Sequence, residues 1–134
     1  MKTLQEAFDT VLEGLREQAK RSEDGGVCAY RSYQDDGTCL KCGIGFLIDD
    51  VFIDETMNEL RVIAPEVKLR LEKSGYPVSR EYSDFYIKIQ DIHDLYSLTS
   101  WEGKFKELAE KWDLEYTPDP KFRLSPVKLA GKED

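Results

Sequence analysis

Cys28, Cys39, Cys42 and His93 are the side chains in this sequence whose types suit metal or thiol chemistry, and they comprise every cysteine and histidine it has. Cys39-Leu40-Lys41-Cys42-Gly43 is a C-x-x-C-G sequence, the shape of a zinc knuckle. At that spacing a tight turn can aim two thiolates at one tetrahedral ion, and the glycine leaves room for the backbone. A structural zinc needs four ligands, and the chain holds only one such pair. Cys28 and His93 would have to complete the set, so the candidate metal ligands are Cys28, Cys39, Cys42 and His93. The plainer reading makes the cysteines small buried hydrophobes, a common state of a free thiol. The expectation is therefore no cofactor, with zinc as the one metal that these residues admit.

Thiol catalysis needs a cysteine, an imidazole to take its proton and an acid to hold the ring. Cys42, His93 and Asp94 or Asp91 supply the types. Asp94 directly follows His93 on an expected helix, so their side chains should diverge by about 100°. That is a poor orienter, and Asp91 points elsewhere. No local signature of a thiol enzyme surrounds Cys42. Enzyme activity is left open, with the balance against it. Gln90, His93 and Asp94 can crowd one edge of the same helix. They would form either a ligand pocket or a network locking the helix to the cysteine stretch. Arg31 is the only guanidinium of residues 23–59. It is expected to pair with Asp94 or Asp49, or to grip an anion. Tyr30, Arg31, Cys42, Gln90, His93 and Asp94 are thus the candidate ligand-binding residues. Gly43 and Gly45 make no phosphate loop, and Asp35-Asp36 and Asp49-Asp50 lack calcium-loop spacing.

Mostly helical elements must position these groups. Thr3 and Glu6 form the capping-box pattern T-x-x-E. Leu4, Phe8, Val11, Leu12, Leu15 and Ala19 then recur on one helical face, until Glu23-Asp24-Gly25-Gly26 stops the run. Val27–Arg31 reads as a short strand, and Gln34-Asp35-Asp36-Gly37 as a tight turn. Leu40–Ile48 is a second strand or a turn into a short helix. A helix is expected over 51–64, with Asp54 as its cap. Another opens at Pro65 and ends before Gly75. Ser83 should cap a helix over 84–96. Ser100 should cap a last one, on which Trp101, Phe105, Leu108, Ala109 and Trp112 form an apolar stripe. The fold class is α+β, mainly helical, with about five helices packed on a short hairpin or turn carrying the cysteines. Residues 1–114 make one globular domain, and 115–134 an extended or disordered tail.

The chain has 134 residues, 40% hydrophobic and 34% charged, which suits one soluble domain. No apolar run approaches the ~20 residues of a membrane span. The first residues do not read as a signal peptide, and an odd number of cysteines fits a reducing cytoplasm. The net charge is -8, and residues 23–59 carry nine acids against two bases. Direct nucleic-acid binding is not expected, because it runs on basic patches. The acidic region is either a solvated face or a surface that meets a basic partner, even as a mimic of DNA.

Cys28-Ala29-Tyr30-Arg31, then Gly37, then Lys41-Cys42-Gly43-Ile44-Gly45-Phe46-Leu47-Ile48-Asp49, and later Gln90-Asp91-Ile92-His93-Asp94 carry a resemblance. The motifs C-x-Y-R, K-C-x-x-G-x-L-I-x-D and Q-x-x-H-D resemble those of a group of small bacteriophage and prophage proteins. The similarity spans about residues 20 to 114. Cys39 is extra against that pattern, and Gly43 stands where alanine is usual. An extra Cys39 counts against a four-ligand zinc site. The resemblance supplies a setting more than a mechanism. It implies a small phage-type binding module in the host cytoplasm. Such a module would antagonise a host defence or metabolic factor by binding a host protein or a small signalling ligand. A zinc-supported interaction domain and a thiol-dependent Cys/His enzyme are the alternatives. No membrane partner is expected, and a homodimer is an open option.

Overall fold

The structure is a computed structural model. It describes all residues except 21, 25, 26, 55, 56, 58, 59, 63, 122 and 125–134, and of residues 23, 24, 27 and 28 it describes the backbone only. Helix α1 spans Leu4–Gln18, and its capping box is complete: Thr3 Oγ1 accepts from Glu6 N–H, and Glu6 accepts from Thr3 N–H. Two antiparallel pairs follow. Strand β1 (Glu23–Asp24) pairs with β2 (Val27–Cys28), and β3 (Arg31–Tyr33) pairs with β4 (Cys39–Lys41). Gly37 turns the second pair at φ 91°, a conformation that favours glycine. Then come 3-10 turns at Ile44–Leu47 and Asp50–Phe52, and the helices α2 (Pro65–Lys73), α3 (Ser83–Leu95) and α4 (Trp101–Lys111). The class is α+β and mainly helical, with four α-helices among the described residues. None of them is long and apolar enough to cross a membrane.

One core joins the elements. Phe8, Val11 and Leu15 of α1 pack with Ile44 and Leu47, with Val67 and Leu71 of α2, and with Phe85 and Ile89 of α3. Trp101, Phe105, Leu108 and Ala109 of α4 are buried as the stripe requires, and Trp112 packs against the same core. Phe105 meets Phe8 edge-on with ring centroids 5.9 Å apart.

Several expected boundaries move. Helix α1 stops before the Gly25-Gly26 signal, because Ala19 takes a left-handed conformation at φ 51°. Gln18 explains the early stop. Its side chain accepts from Lys41 N–H at 2.7 Å and donates to Lys41 C=O at 2.8 Å, so the helix end turns aside to hold β4. Over 51–64 no α-helix occurs among the described residues. Met57, Leu60 and Ala64 instead make 3-10-type bonds to Asp54, Met57 and Arg61. Just ahead of this stretch Arg31 donates to Ile48 C=O, and at its start Arg70 donates to Phe52 C=O. Ser83 is already helical, not a cap, and α3 is preceded by a 3-10 turn at Arg80–Tyr82. Ser100 stands at the cap position of α4 but makes no capping bond.

Of the segment after 114, Glu115, Thr117 and Arg123 bond to side chains of α1. Glu115 exchanges two hydrogen bonds with the Gln5 side chain, at 2.8 and 3.1 Å. Arg16 donates to Thr117 C=O and forks onto Glu102 at 2.7 and 2.8 Å. Asp119 caps the turn that follows, with Arg123 holding its carboxyl well below the usual range, and Leu124 is buried.

Candidate functional site

Two of the predicted site residues, Gln90 and Arg31, hold one loop, residues 42–50, from two sides. On the first side is α3. Gln90 accepts from Ile44 N–H at 3.3 Å and donates to both Asp94 oxygens at 3.1 and 3.3 Å. Asp94 in turn lies 2.7 Å from His93 Nδ1. The expected divergence of these neighbours is overturned. The 100° separates only their Cα–Cβ directions. The Asp94 carboxylate bends across to the ring, and Gln90 one turn earlier holds it there. His93 is fully buried and stacks on Trp101, with centroids 5.6 Å apart. Its Nε2 accepts from Ser22 N–H at 3.1 Å. A backbone donor at Nε2 assigns the proton to Nδ1, pointing at Asp94. The imidazole lone pair is thereby committed to the backbone, not to a thiol.

Cys42 follows β4 and is buried. Its sulfur accepts from Gly45 N–H at 3.3 Å. Burial pushes the thiol up to about 12, with Gly45 and Gln90 only partly opposing. Reactivity belongs to the thiolate, so Cys42 is inert at neutral pH. Iodoacetamide is expected to label half-exposed Cys39 and spare Cys42 in the native protein at pH 7. Peptide mapping would read this, and fast labelling of Cys42 would refute it. The same shift makes stability fall with alkalinity. The unfolded thiol ionises from pH about 9 upwards while the folded one keeps its proton until about 12, so unfolding is favoured across that window.

Cys39 lies in β4 opposite Tyr33, its sulfur 3.8 Å from Leu40 C=O. The Cys28 side chain lies outside the described residues. Among the described residues no group of three His, Cys, Asp or Glu side chains is placed to hold a metal ion.

On the second side is Arg31, buried at the start of β3. The predicted partners Asp94 and Asp49 are replaced by Asp50, which takes Nε at 3.1 Å and Nη2 at 2.8 Å. The rest of the guanidinium donates to the carbonyls of Tyr30, Gly45 and Ile48, at 3.1, 2.6 and 2.7 Å. Five hydrogen bonds occupy its five donors, so it clamps the loop and has none left for an anion. A Cβ on Gly45 would collide with Tyr30 C=O, which is why the loop can pass so close. The Tyr30 hydroxyl donates to Leu60 C=O at 2.8 Å. Asp49 N–H donates to Ser74 Oγ at 2.9 Å.

Spacing alone did not reveal what the clamps present. Asp49, Asp50 and Val51 are exposed, Val51 by 80%. Arg70 of α2 fixes the next turn through Phe52 C=O at 2.8 Å and the Asp54 carboxylate at 3.1 Å. Val51, Phe52, Ile53 and Asp54 then face Leu69, Arg70 and Lys73 across a shallow depression of about 350 Å³. Leu69 is 48% exposed. Asp49, Asp50 and Asp54 belong to the acidic region 23–59 that the sequence offers as a solvated face or a partner surface. Comparison with family models, curated proteins and solved structures returned no match.

Proposed function

We propose that the protein is a small binding module, not an enzyme, whose docking face is the 49–54 segment together with Leu69. The observation that carries this reading is an exposed apolar pair on a rigid support. Val51 and Leu69 stand in solvent, while two arginines fix the backbone beneath them through bonds to Ile48, Asp50, Phe52 and Asp54. Pre-organised apolar anchors with a polar rim are the energetic centre of protein interfaces. Asp49, Asp50 and Asp54 give the rim an acidic bias, which favours a partner with basic residues around an apolar anchor. The resemblance to phage and prophage proteins suggests the setting: a host protein bound, and a host defence or metabolic factor antagonised. The groups that could have supplied thiol chemistry are engaged in bonds within the fold, which further favours binding over turnover.

The test compares immobilised wild-type protein with a Val51→Asp/Leu69→Asp variant against bacterial host extract, read by quantitative mass spectrometry. A specific partner is expected to drop at least about thirtyfold with the variant, the worth of an interfacial anchor of ~2 kcal/mol. Both positions are exposed, so the thermal melt should not change. Equal capture by the two proteins would sink the reading.

A further inference from the structure

A different part of the surface, between α3 and α4, forms a groove. The two helices lie side by side, joined by a short connection, and leave about 370 Å³ between them. That lies within the roughly 300–1,000 Å³ of small-molecule sites. Each helix offers one stripe at helical spacing: Lys88, Asp91, Ile92 and Leu95 from α3, and Lys104, Glu107, Leu108 and Lys111 from α4, with Tyr96 at one end. Buried Ile92 and Leu108 form the floor.

The charges in the groove are sorted by end. Lys104 Nζ sits 4.6 Å from the Tyr96 ring centre, which sets the start of α4 beside the end of α3. Lys111, two turns further along α4, therefore lies back beside Lys88, about 10 Å from the Tyr96 end at 1.5 Å per residue. Leu95, 70% exposed, and Tyr96, 37% exposed, make the far end apolar. Lys104 is tied there to Glu107 at 3.6 Å. Lys88 and Lys111 are exposed and in no ion pair among the described residues, while of the two carboxylates lining the groove, Asp91 and Glu107, the latter is paired with Lys104. On a chain of net charge -8, this leaves a local excess of positive charge at one end of a groove whose other end is apolar.

We propose that the α3–α4 groove binds a free amphipathic anion, with its carboxylate between Lys88 and Lys111 and its aliphatic or aromatic body against Ile92, Leu95, Tyr96 and Leu108. The site shares no element with the docking face of Val51 and Leu69 and does not depend on it. Apolar burial along the floor supplies affinity, and the two ammonium groups fix the direction of the ligand.

The test is a titration of the full chain with sodium octanoate, followed by amide NMR shifts, with 1-octanol as the headless control. Shifts are expected along α3 and α4, with octanol at least tenfold weaker. Lys88→Glu/Lys111→Glu should weaken octanoate at least tenfold. Leu95→Asp, which charges the apolar end, should do the same. All three positions are exposed, and unchanged urea midpoints confirm that the variants fold. Three results would overturn the proposal: no shift up to the solubility limit of octanoate, equal affinity for octanol, or unaltered affinity in both variants. So would co-sedimentation with phosphatidylglycerol vesicles in the absence of any octanoate shift, because it would give the groove to a membrane surface.

Discussion

Arg31→Ala is expected to lower the free energy of unfolding by roughly 4 kcal/mol or more. The argument rests on what remains after truncation. The carbonyls of Tyr30, Gly45 and Ile48 would each lose a charged donor in a buried place, and a buried acceptor left unpaired costs about 1–3 kcal/mol. Asp50→Asn should cost less than about 1 kcal/mol, because the Asp50 side chain is 81% exposed and water can replace its partner. Arg31→Lys should recover little, since one ammonium cannot reach three diverging carbonyls and a carboxylate. Urea denaturation followed by circular dichroism reads all three variants. If Arg31→Ala cost no more than Asp50→Asn, the guanidinium would be a surface ion pair, and the loop would owe its shape to something else.

The second large effect is at His93. Truncation to alanine removes a fully buried ring stacked on Trp101 and strands the Ser22 N–H that Nε2 accepts. A cavity together with an unpaired donor is expected to cost about 3–5 kcal/mol. His93→Phe separates the two contributions. It keeps most of the stacked volume and deletes both ring hydrogen bonds, so it should cost about 1–3 kcal/mol. The same urea titration measures both. A His93→Phe loss as large as that of His93→Ala would mean that the bonds to Ser22 and Asp94 outweigh the packing. Wild-type stability in His93→Ala, with loss of partner capture, would turn His93 from a fold residue into a binding residue.

The elements set by local chemistry were legible in the sequence. Thr3 and Glu6 cap α1 because a capping box needs only residues three apart. Gly37 turns the hairpin because Asp36-Gly37 supplies the required φ. Trp101, Phe105, Leu108 and Ala109 are buried because a single face repeats at helical spacing. What escaped depended on partners distant in sequence. Nothing near Ala19 announces the end of α1, since the cause is Lys41, held by Gln18. The stretch 51–64 has helical periodicity, yet its described residues close 3-10-type bonds from Met57, Leu60 and Ala64. Arg31 was recognised as an unusual cation, yet its partner was missed, because Asp50 is chosen by how the 3-10 turn Ile44–Leu47 aims the loop. His93 and Asp94 were set apart by reasoning from backbone direction alone, when the reach of an aspartate and the hold of Gln90 decide the geometry. Types and spacing picked out Cys42, Gln90, His93 and Arg31, while only the bonds of Gln90 to Ile44 and of Arg31 to Gly45 and Ile48 show a loop held from two sides.

Gln18 carries one more consequence. A two-stranded hairpin has open edges, and an open edge is a template on which another chain can lay a strand. At Lys41 both the N–H and the C=O are already taken by the Gln18 amide, which stands in for a neighbouring peptide group. Gln5 does the same for Glu115 at the other end of the helix. At its C-terminal end helix α1 thus supplies a short imitation of a third strand beside β4. At this one edge position the fold carries its own stop against strand addition.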